Sequence, residues 1–391
     1  MREISQKLTD KLENRKENNA FRTLSTSSFC IDFSSNDYIG FSKNKRISER
    51  VLEKVHCFQN INGSTGSRLI SGNSSLHQEL EQYLATFHQT ESALLFNSGY
   101  DANVGFFSSI PQRGDTILYD ELVHASIRDG IRLSNANAFG FKHNDLESLK
   151  VKFQRAKGDV YVVVESIYSM DGDAANLREI TEFCNENNCY LIVDEAHSTG
   201  IYSENGKGFV DFLGLNDKIF ARIHTFGKAI GCHGAVILGT KNLTDFLINF
   251  SRSFIYTTAM SAHSLLTIKE SFEELKKTTA IEELKYKIQF FKETIKEFGL
   301  ASKFIKSESP IQCCVLSGND FVKNIAKKLQ ENSINVKAIL SPTVPKGAER
   351  LRFCIHNYNT KEEIQEACAI LKEAIFEFQP EILLENFETV S

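Results

Sequence analysis

The chain contains 391 residues, of which 41% are hydrophobic and 24% charged, and its formal net charge is -5. A length above the usual size of a single hydrophobic core predicts one large and one smaller domain, with the composition of an ordinary globular protein. The slight excess of acidic residues provides no overall positive field, so we expect neither nucleic acid nor an anionic membrane as a partner.

The cysteines and the N-terminal segment indicate the compartment. The nine cysteines are odd in number and show no C-x-x-C spacing, which argues against a disulfide framework and against a zinc site. We therefore expect no metal and a reducing, cytoplasmic location. Segment 1–19 is highly charged, and no run of the sequence approaches the roughly 18 apolar residues of a membrane span, which predicts a soluble, unprocessed protein.

The first 50 residues are predicted to form an N-terminal segment with one helix and one short strand. Ile4, Leu8 and Leu12 recur at fourfold spacing with charged residues between them, which is typical of an amphipathic helix. Residues 31–33 predict a strand that enters the polar, turn-rich loop 34–40.

Beyond residue 50 the sequence predicts a large α/β domain over 51–285 and a small α+β domain over 286–391. Alternation of strands with helices indicates a mostly parallel sheet with right-handed crossovers. The predicted elements of the large domain are helix 75–87, strand 92–96, strand 115–119, helix 123–133, strand 138–141, helix 146–153, three strands that end at 165, 194 and 225, and helices within 242–298. Those of the small domain are strand 311–316, helix 321–331, strands 336–340 and 350–356, and helix 361–378.

Polar side chains stand where the three central strands end. One strand ends in Asp194, and the next runs into a glycine-flanked loop that carries Lys228. Because ligands of open α/β sheets bind at the carboxyl ends of the strands, we expect both side chains at one site. A lysine that forms a Schiff base and an acid for a ring nitrogen are what pyridoxal 5'-phosphate requires, so the sequence predicts this cofactor.

Two other interpretations apply to these segments. Lys228 taken alone would be a solvated surface lysine, but the nearby glycines and apolar strands favour a buried amine of lowered pKa. Residues 194–197 also match a motif of some helicases. A helicase would in addition need a G-x-x-x-x-G-K-[ST] loop, and the sequence contains none.

Several further residues have both a structural and a functional interpretation. His197 is either a hydrogen-bonded core histidine or a contact to the phenolic oxygen of the cofactor, for which Ser169 is a second candidate. His124 is either a helix cap or a flat ring that stacks on the pyridine. Arg352 is either a solvent-facing arginine on an edge strand or a bidentate ligand of an amino-acid carboxylate.

The turn 98–103 follows a predicted strand and opens a helix. Its free N–H groups and partial positive charge suit a phosphate, although an ordinary strand-to-helix turn has the same pattern. Thr225, three residues before Lys228, offers a hydroxyl to that phosphate.

Together these segments resemble the α-oxoamine synthases, pyridoxal-phosphate enzymes of the class II aminotransferase type. The resemblance covers residues 22–352. Its motifs are Asn36-Asp37-Tyr38, Gly66-Ser67-Arg68-Leu69-Ile70-Ser71-Gly72, His124-Ala125-Ser126, Ser169-Met170-Asp171-Gly172-Asp173, Val193-Asp194-Glu195-Ala196-His197, Gly227-Lys228-Ala229 and Phe254-Ile255-Tyr256-Thr257-Thr258.

The resemblance implies the fold type I architecture of pyridoxal-phosphate transferases and a role for each matching residue. The implied catalytic residues are Lys228 for the Schiff base, Asp194 for the pyridinium and His124 for stacking. The implied cofactor contacts are Gly99, Tyr100, His124, Ser169, Asp194, His197, Thr225 and Lys228, with Thr257 and Thr258 reaching the phosphate of a neighbouring subunit in a homodimer with shared sites. The implied substrate contacts are Arg22, Asn36, His124, Thr343 and Arg352.

The implied reaction is a decarboxylative condensation of an amino acid with an acyl thioester. The segment 68–72 resembles the branch of the family that joins L-alanine to pimeloyl-CoA, or to a pimeloyl-carrier protein, in biotin synthesis. The alternatives are a sister synthase that uses glycine or another acyl-CoA, and an idle, binding-only relative. The latter is disfavoured because both Lys228 and Asp194 are present.

Overall fold

The computed structural model describes residues 2–24, 31–56 and 62–378, which divide into two compact units. The larger unit holds the described residues of 36–169 and 173–283, and the smaller unit holds those of 2–35, 170–172 and 284–378. Cys30 and Cys57 lie outside the described residues. The other seven cysteines form no disulfide.

The helices and strands follow in chain order. They are α1 (Gln6–Glu17), β1 (Ile31–Asp32), α2 (Lys45–Val55), α3 (Ser75–Phe87), β2 (Ser92–Phe96), α4 (Gly99–Ser109), β3 (Thr116–Asp120), α5 (Ala125–Leu133), β4 (Asn137–Phe141), α6 (Leu146–Phe153), β5 (Val160–Glu165), α7 (Leu177–Glu186), β6 (Tyr190–Asp194), α8 (Phe209–Phe212), β7 (Ala221–Thr225), β8 (Ala235–Gly239), α9 (Lys241–Phe250), α10 (Arg252–Ile255), α11 (Ala262–Leu275), α12 (Ala280–Glu297), β9 (Ile311–Val315), α13 (Asn319–Glu331), β10 (Ile334–Asn335), β11 (Lys337–Ile339), β12 (Arg350–Cys354) and α14 (Lys361–Phe378).

The larger unit is built on a seven-stranded sheet of order β2-β8-β7-β6-β5-β3-β4. The pairs β3–β4, β3–β5, β5–β6 and β6–β7 are parallel, and β8 is antiparallel to both of its neighbours, β7 and β2. The prediction of a mostly parallel α/β sheet is confirmed. Strand β8 was not predicted. Because only β8 is reversed, the carboxyl ends of the other six strands meet at one edge.

Alternation along the strands creates two cores, one on each face of the sheet. In β5, Tyr161 and Val163 pack into the core beneath α4 and α5, whereas Val162 and Val164 pack into the core beneath α6 and α7. Successive side chains of a strand point to opposite faces, so a residue two positions beyond Val163 returns to the α4 and α5 face. This rule places the last side chains of β5 and β6 on that face.

The smaller unit contains the antiparallel sheet β11-β12-β9 and a parallel pair of β1 with β10. Arg352 lies in β12, the central strand, and its side chain is only 8% exposed. The interpretation of Arg352 as a solvent-facing residue on an edge strand is therefore wrong.

Among the helices in the described parts of the chain, none has the length and apolar character needed to cross a lipid bilayer.

Candidate active site

A cavity of about 150 Å³ opens at the carboxyl edge of the seven-stranded sheet. Six residues predicted from the sequence line it, namely Gly99, Tyr100, His124, Asp194, Thr225 and Lys228. Three more polar residues of the wall had no predicted role, namely Asn103, Ser126 and Glu165. The structure thus brings the predicted amine and the predicted carboxylate into one cavity.

The loop between β7 and β8 holds Lys228. The N–H of Gly231 donates to the carbonyl of Lys228 at 2.8 Å, and the N–H of Cys232 donates to that of Phe226 at 2.8 Å. Gly231 has a φ of +69°, and a Cβ there would lie 2.4 Å from the backbone nitrogen of Ser42. Only glycine fits this turn without strain. The loop therefore fixes the backbone from which the half-buried Lys228 side chain enters the cavity.

Asp194 is 5% exposed and accepts two hydrogen bonds. Nδ2 of Asn103 donates to Oδ2 at 2.8 Å, and the N–H of Ala196 donates to Oδ1 at 2.9 Å. Hydrogen bonds to a carboxylate favour its charged form. Asp194 is thereby held as an acceptor at the end of β6.

A chain of hydrogen bonds connects Asp194 to His124. Nδ2 of Asn103 also donates to Oγ of Ser126 at 3.0 Å, and that oxygen lies 2.7 Å from Nδ1 of His124. The N–H of Ser126 donates to the same Nδ1 at 3.2 Å, so Nδ1 is an acceptor and the ring is neutral with its proton on Nε2. Burial lowers the pKa of His124, and Lys228 lowers it further against the opposite effect of Asp194. The helix-capping interpretation of His124 is correct, and the capping ring also lines the cavity.

The N-terminus of α4 forms another side of the cavity. Ser98 caps this helix, because its Oγ accepts from the N–H of Asp101 at 3.0 Å. Gly99 stands against Thr225, where an added Cβ would lie 3.2 Å from Oγ1. The hydroxyl of Tyr100 donates to Asp129 at 2.8 Å, and the hydrogen bond raises the pKa of this tyrosine. The free N–H groups of this helix end suit an anion.

A separate network holds Asn36 and His197. The hydroxyl of Tyr38 donates to Oδ1 of Asn36 at 3.1 Å and lies 2.8 Å from Nδ1 of His197. Ser169 is half-buried in the loop that follows β5. Asn36, Ser169 and His197 do not line the cavity described above.

Thr257 and Thr258 line a different, smaller cavity with Arg68. Nδ2 of Asn97 donates to Oγ1 of Thr257 and to the carbonyl of Thr258, both at 2.9 Å. Arg68 makes a bidentate pair with Glu81 at 2.9 and 3.0 Å. The start of the segment 68–72 is therefore fixed by an ion pair.

Glu195, in the segment 194–197 that shares its letters with a helicase motif, has a structural role. Its carboxylate is fully buried and accepts from the N–H groups of Phe209 at 2.8 Å and Val210 at 2.7 Å. It thus satisfies the first N–H groups of α8.

The remaining predicted substrate contacts lie in the smaller unit. Arg22 and Thr343 are exposed. Nη1 of Arg352 lies 2.9 Å from Sγ of Cys354. The neighbouring Arg350 pairs with Asp171 and donates to the carbonyl of Met170 at 3.1 Å, so Arg350 fastens that segment.

The three missed residues differ in the signal they offered. Asn103 stands four positions after Gly99 in a helix, which places both on one face. Glu165 ends β5 as Asp194 ends β6, so strand alternation indicates a shared face. Ser126 offered no pattern of its own, because its role depends on Asn103 from another helix.

The profile of the family described as aminotransferase class I and II matches residues 29–371. The chain belongs to this family. One of its curated relatives is the 8-amino-7-oxononanoate synthase of Emericella nidulans. The two proteins are 40% identical over 93% of this chain and 92% of that protein.

Two solved structures are similar to this member of the family. The 8-amino-7-oxononanoate synthase of Francisella tularensis is 29% identical, with a TM-score of 0.77 over 89% of this chain and 98% of that chain. A serine palmitoyltransferase variant from S. paucimobilis, with a bound PLP-myriocin aldimine, is 24% identical, with a TM-score of 0.86 over 95% of this chain and 97% of that chain. The second likeness is one of fold alone.

Proposed function

We propose that this protein is a pyridoxal-phosphate-dependent acyltransferase that makes 8-amino-7-oxononanoate from L-alanine and a pimeloyl thioester, for biotin synthesis. The observation that carries the proposal is the shared cavity of Lys228 and Asp194, with His124 on its wall. The relatives support the branch, since the one from Emericella nidulans carries that name at 40% identity.

The residues of the cavity fit pyridoxal 5'-phosphate. An amine, a carboxylate with two hydrogen bonds and a flat neutral imidazole face one space, and the N-terminus of α4 offers N–H groups to a phosphate. Oδ1 of Asn103 is buried without a partner among the described residues, as expected beside a ligand. When bound, the cofactor supplies an aldehyde for amines and a ring that accepts the negative charge developed at a substrate carbon.

The side chains of the chain then have separate tasks. Lys228 would hold the cofactor through Nζ and, once released by the incoming amino acid, take the α-proton and return it at the end of the reaction. Asp194 would keep a proton on the ring nitrogen, because a carboxylate stabilises a neighbouring cation. His124 would orient the ring by its flat face. Positioned proton transfer of this kind contributes roughly 10²–10⁴-fold to a rate.

The proposed reaction needs no reactant besides the amino acid and the acyl thioester. The α-carbon of the amino acid attacks the thioester carbonyl and the thiol leaves. The resulting β-keto acid loses its carboxyl group as CO₂, and the α-carbon takes a proton in its place. Arg22, Asn36, His124, Thr343 and Arg352 are the proposed substrate contacts, of which Arg352 would hold the carboxylate of the amino acid.

A cytoplasmic homodimer is part of the proposal. Support comes from large apolar side chains of the larger unit that water reaches, since Ile70 is 86% exposed and Tyr256 is 72% exposed. The adjoining segments 68–72 and 252–255 pack on each other, and exposed apolar side chains that lie together are typical of a surface that a partner covers. Thr257 and Thr258 would then serve the phosphate of the second subunit, with Ser169 and His197 near the phenolic oxygen.

The decisive experiment measures thiol release by the purified protein with added cofactor. Alanine, glycine and serine are each paired with pimeloyl-CoA and with shorter and longer acyl-CoA molecules. We expect the highest rate with alanine and pimeloyl-CoA. A preference for glycine or for another acyl chain would assign the protein to a sister synthase, and no thiol release from any pair would end the proposal.

A further inference from the structure

The cavity contains a second carboxyl group that the proposed function does not use. Glu165 ends β5 and is the Cα partner of Asp194 across the β5–β6 pair. The two side chains therefore leave the sheet on the same face, and both line the cavity. Glu165 is only 2% exposed.

Hydrogen-bond donors are divided unequally between these two carboxyls. Asp194 accepts from Asn103 and from the N–H of Ala196, as described above. Oε1 of Glu165 is buried with no partner among the described residues. Adjacent buried carboxyls do not both ionise readily, and the charge favours the one that accepts more hydrogen bonds. The geometry therefore leaves the negative charge on Asp194 and a proton on Glu165.

Comparison with Glu195 argues against a merely structural role for Glu165. Both carboxyls are fully or almost fully buried. The carboxylate oxygens of Glu195 accept hydrogen bonds from the backbone N–H groups of Phe209 and Val210 and from the hydroxyl of Ser198. A buried polar oxygen without such partners costs stability, which indicates that Oε1 of Glu165 serves the cavity.

The charged groups around Glu165 agree with a neutral carboxyl. Burial raises the pKa of Glu165 to about 8, and Asp194 contributes to this increase. Lys228 and the backbone N–H of His124 act in the opposite direction, whereas Asp120 at the end of β3 adds a small increase.

We propose that Glu165 is a positioning residue whose carboxyl stays protonated beside ionised Asp194. This role rests on the proposed function. Asp194 is then the only anion on this wall and alone partners the ring nitrogen of the cofactor. The bound cofactor fills the cavity that Glu165 lines and excludes water from it, which disfavours the ionised form of Glu165 further. Cofactor affinity therefore falls as rising pH ionises Glu165 in the empty site.

The test compares the wild-type protein with Glu165→Gln, which copies the neutral acid. The dissociation constant of pyridoxal 5'-phosphate is measured from its visible absorbance at about pH 7 and about pH 9.5. At the lower pH we expect the two proteins to bind the cofactor with affinities that agree within about threefold. Raising the pH should reduce the affinity of the wild type about tenfold more than the affinity of the variant. An affinity difference that is the same at both pH values overturns the proposal.

Infrared difference spectra of the protein without cofactor separate this proposal from the proposed function. Wild-type protein at about pH 7 is expected to show the carbonyl band of a buried protonated carboxyl that fades by about pH 9.5 and is missing from the spectrum of Glu165→Gln. The absence of such a band from the wild type at both pH values overturns the proposal, and that part of the measurement needs no variant to fold. A protein that shows the band and binds no pyridoxal 5'-phosphate would refute the proposed function alone.

Discussion

Asn103 joins the two sides of the active-site cavity, because its Nδ2 donates to Asp194 at 2.8 Å and to Ser126 at 3.0 Å. The first bond fixes the carboxylate at the end of β6. The second directs the hydroxyl of Ser126 toward Nδ1 of His124. One amide thus orients both groups that are proposed to hold the cofactor ring.

The first prediction concerns this amide. Asn103→Ala removes a hydrogen bond to a buried carboxylate, and such bonds contribute about 1.5–3 kcal/mol. We expect the affinity for pyridoxal 5'-phosphate to fall by at least about tenfold, measured by titration of visible absorbance. Ser126→Ala is the matched control, since it leaves the bond to Asp194 in place. Equal losses in the two variants would show that the bond to Asp194 has no special weight.

The second prediction concerns Lys228. Lys228→Ala removes the amine that is proposed to hold the cofactor covalently and to move the α-proton. We expect turnover to fall by at least about 10³-fold and the absorbance of the lysine-bound cofactor to disappear. Lys241→Ala, which removes an exposed lysine paired with Asp245, should change neither quantity. Full activity of the Lys228 variant would be incompatible with the mechanism.

The third prediction concerns Asp194. Asp194→Asn keeps the shape of the side chain but removes the charge that holds a proton on the ring nitrogen. We expect cofactor to bind while exchange of the alanine α-proton with deuterated solvent, followed by NMR, slows by about 10²-fold or more. An unchanged exchange rate would contradict the assigned role.

Local sequence patterns predicted the frame of the site because that frame is built from strand ends. The alternation of strands with helices was enough to place Asp194 and Lys228 at one edge of a parallel sheet, and their common cavity agrees with it. The helix predicted over 146–153 has those bounds in the structure, since its apolar spacing is unbroken.

Other features depend on contacts that no local pattern encodes. Strand β8 is a short apolar run that pairs on one side with β7, its neighbour in the chain, and on the other side with β2, far away in the sequence. Asn103 meets Asp194 across 91 positions, and its role appears only when α4 packs on the sheet. The central place of Arg352 likewise depends on strand order in the small sheet, because β12 lies between β11 and β9, an order that local sequence does not reveal.

The last prediction concerns His143, a half-buried histidine just beyond the end of β4. Nδ1 of His143 lies 3.0 Å from both carboxylate oxygens of Asp120, and Nε2 lies 2.7 Å from Asp173. Burial lowers the pKa of His143, but the hydrogen bonds to the two carboxylates outweigh this effect and raise it to about 10. His143 is therefore charged in the folded protein and connects the ends of β3 and β4 to the loop after β5.

The sign of the pH effect follows from this increase. A folded-state pKa above the unfolded value of about 6.5 gives stability that is fully present below about pH 6.5 and is lost as the pH rises through about 10. His143→Gln should therefore reduce the free energy of unfolding by on the order of 2–3 kcal/mol at about pH 6, and by progressively less toward about pH 10. Urea unfolding of the protein without cofactor at several pH values measures the difference. His263→Gln, a change at an exposed histidine, is the control. A destabilisation by His143→Gln that stays constant from about pH 6 to about pH 10 would show that shape, not charge, explains the contribution of this residue.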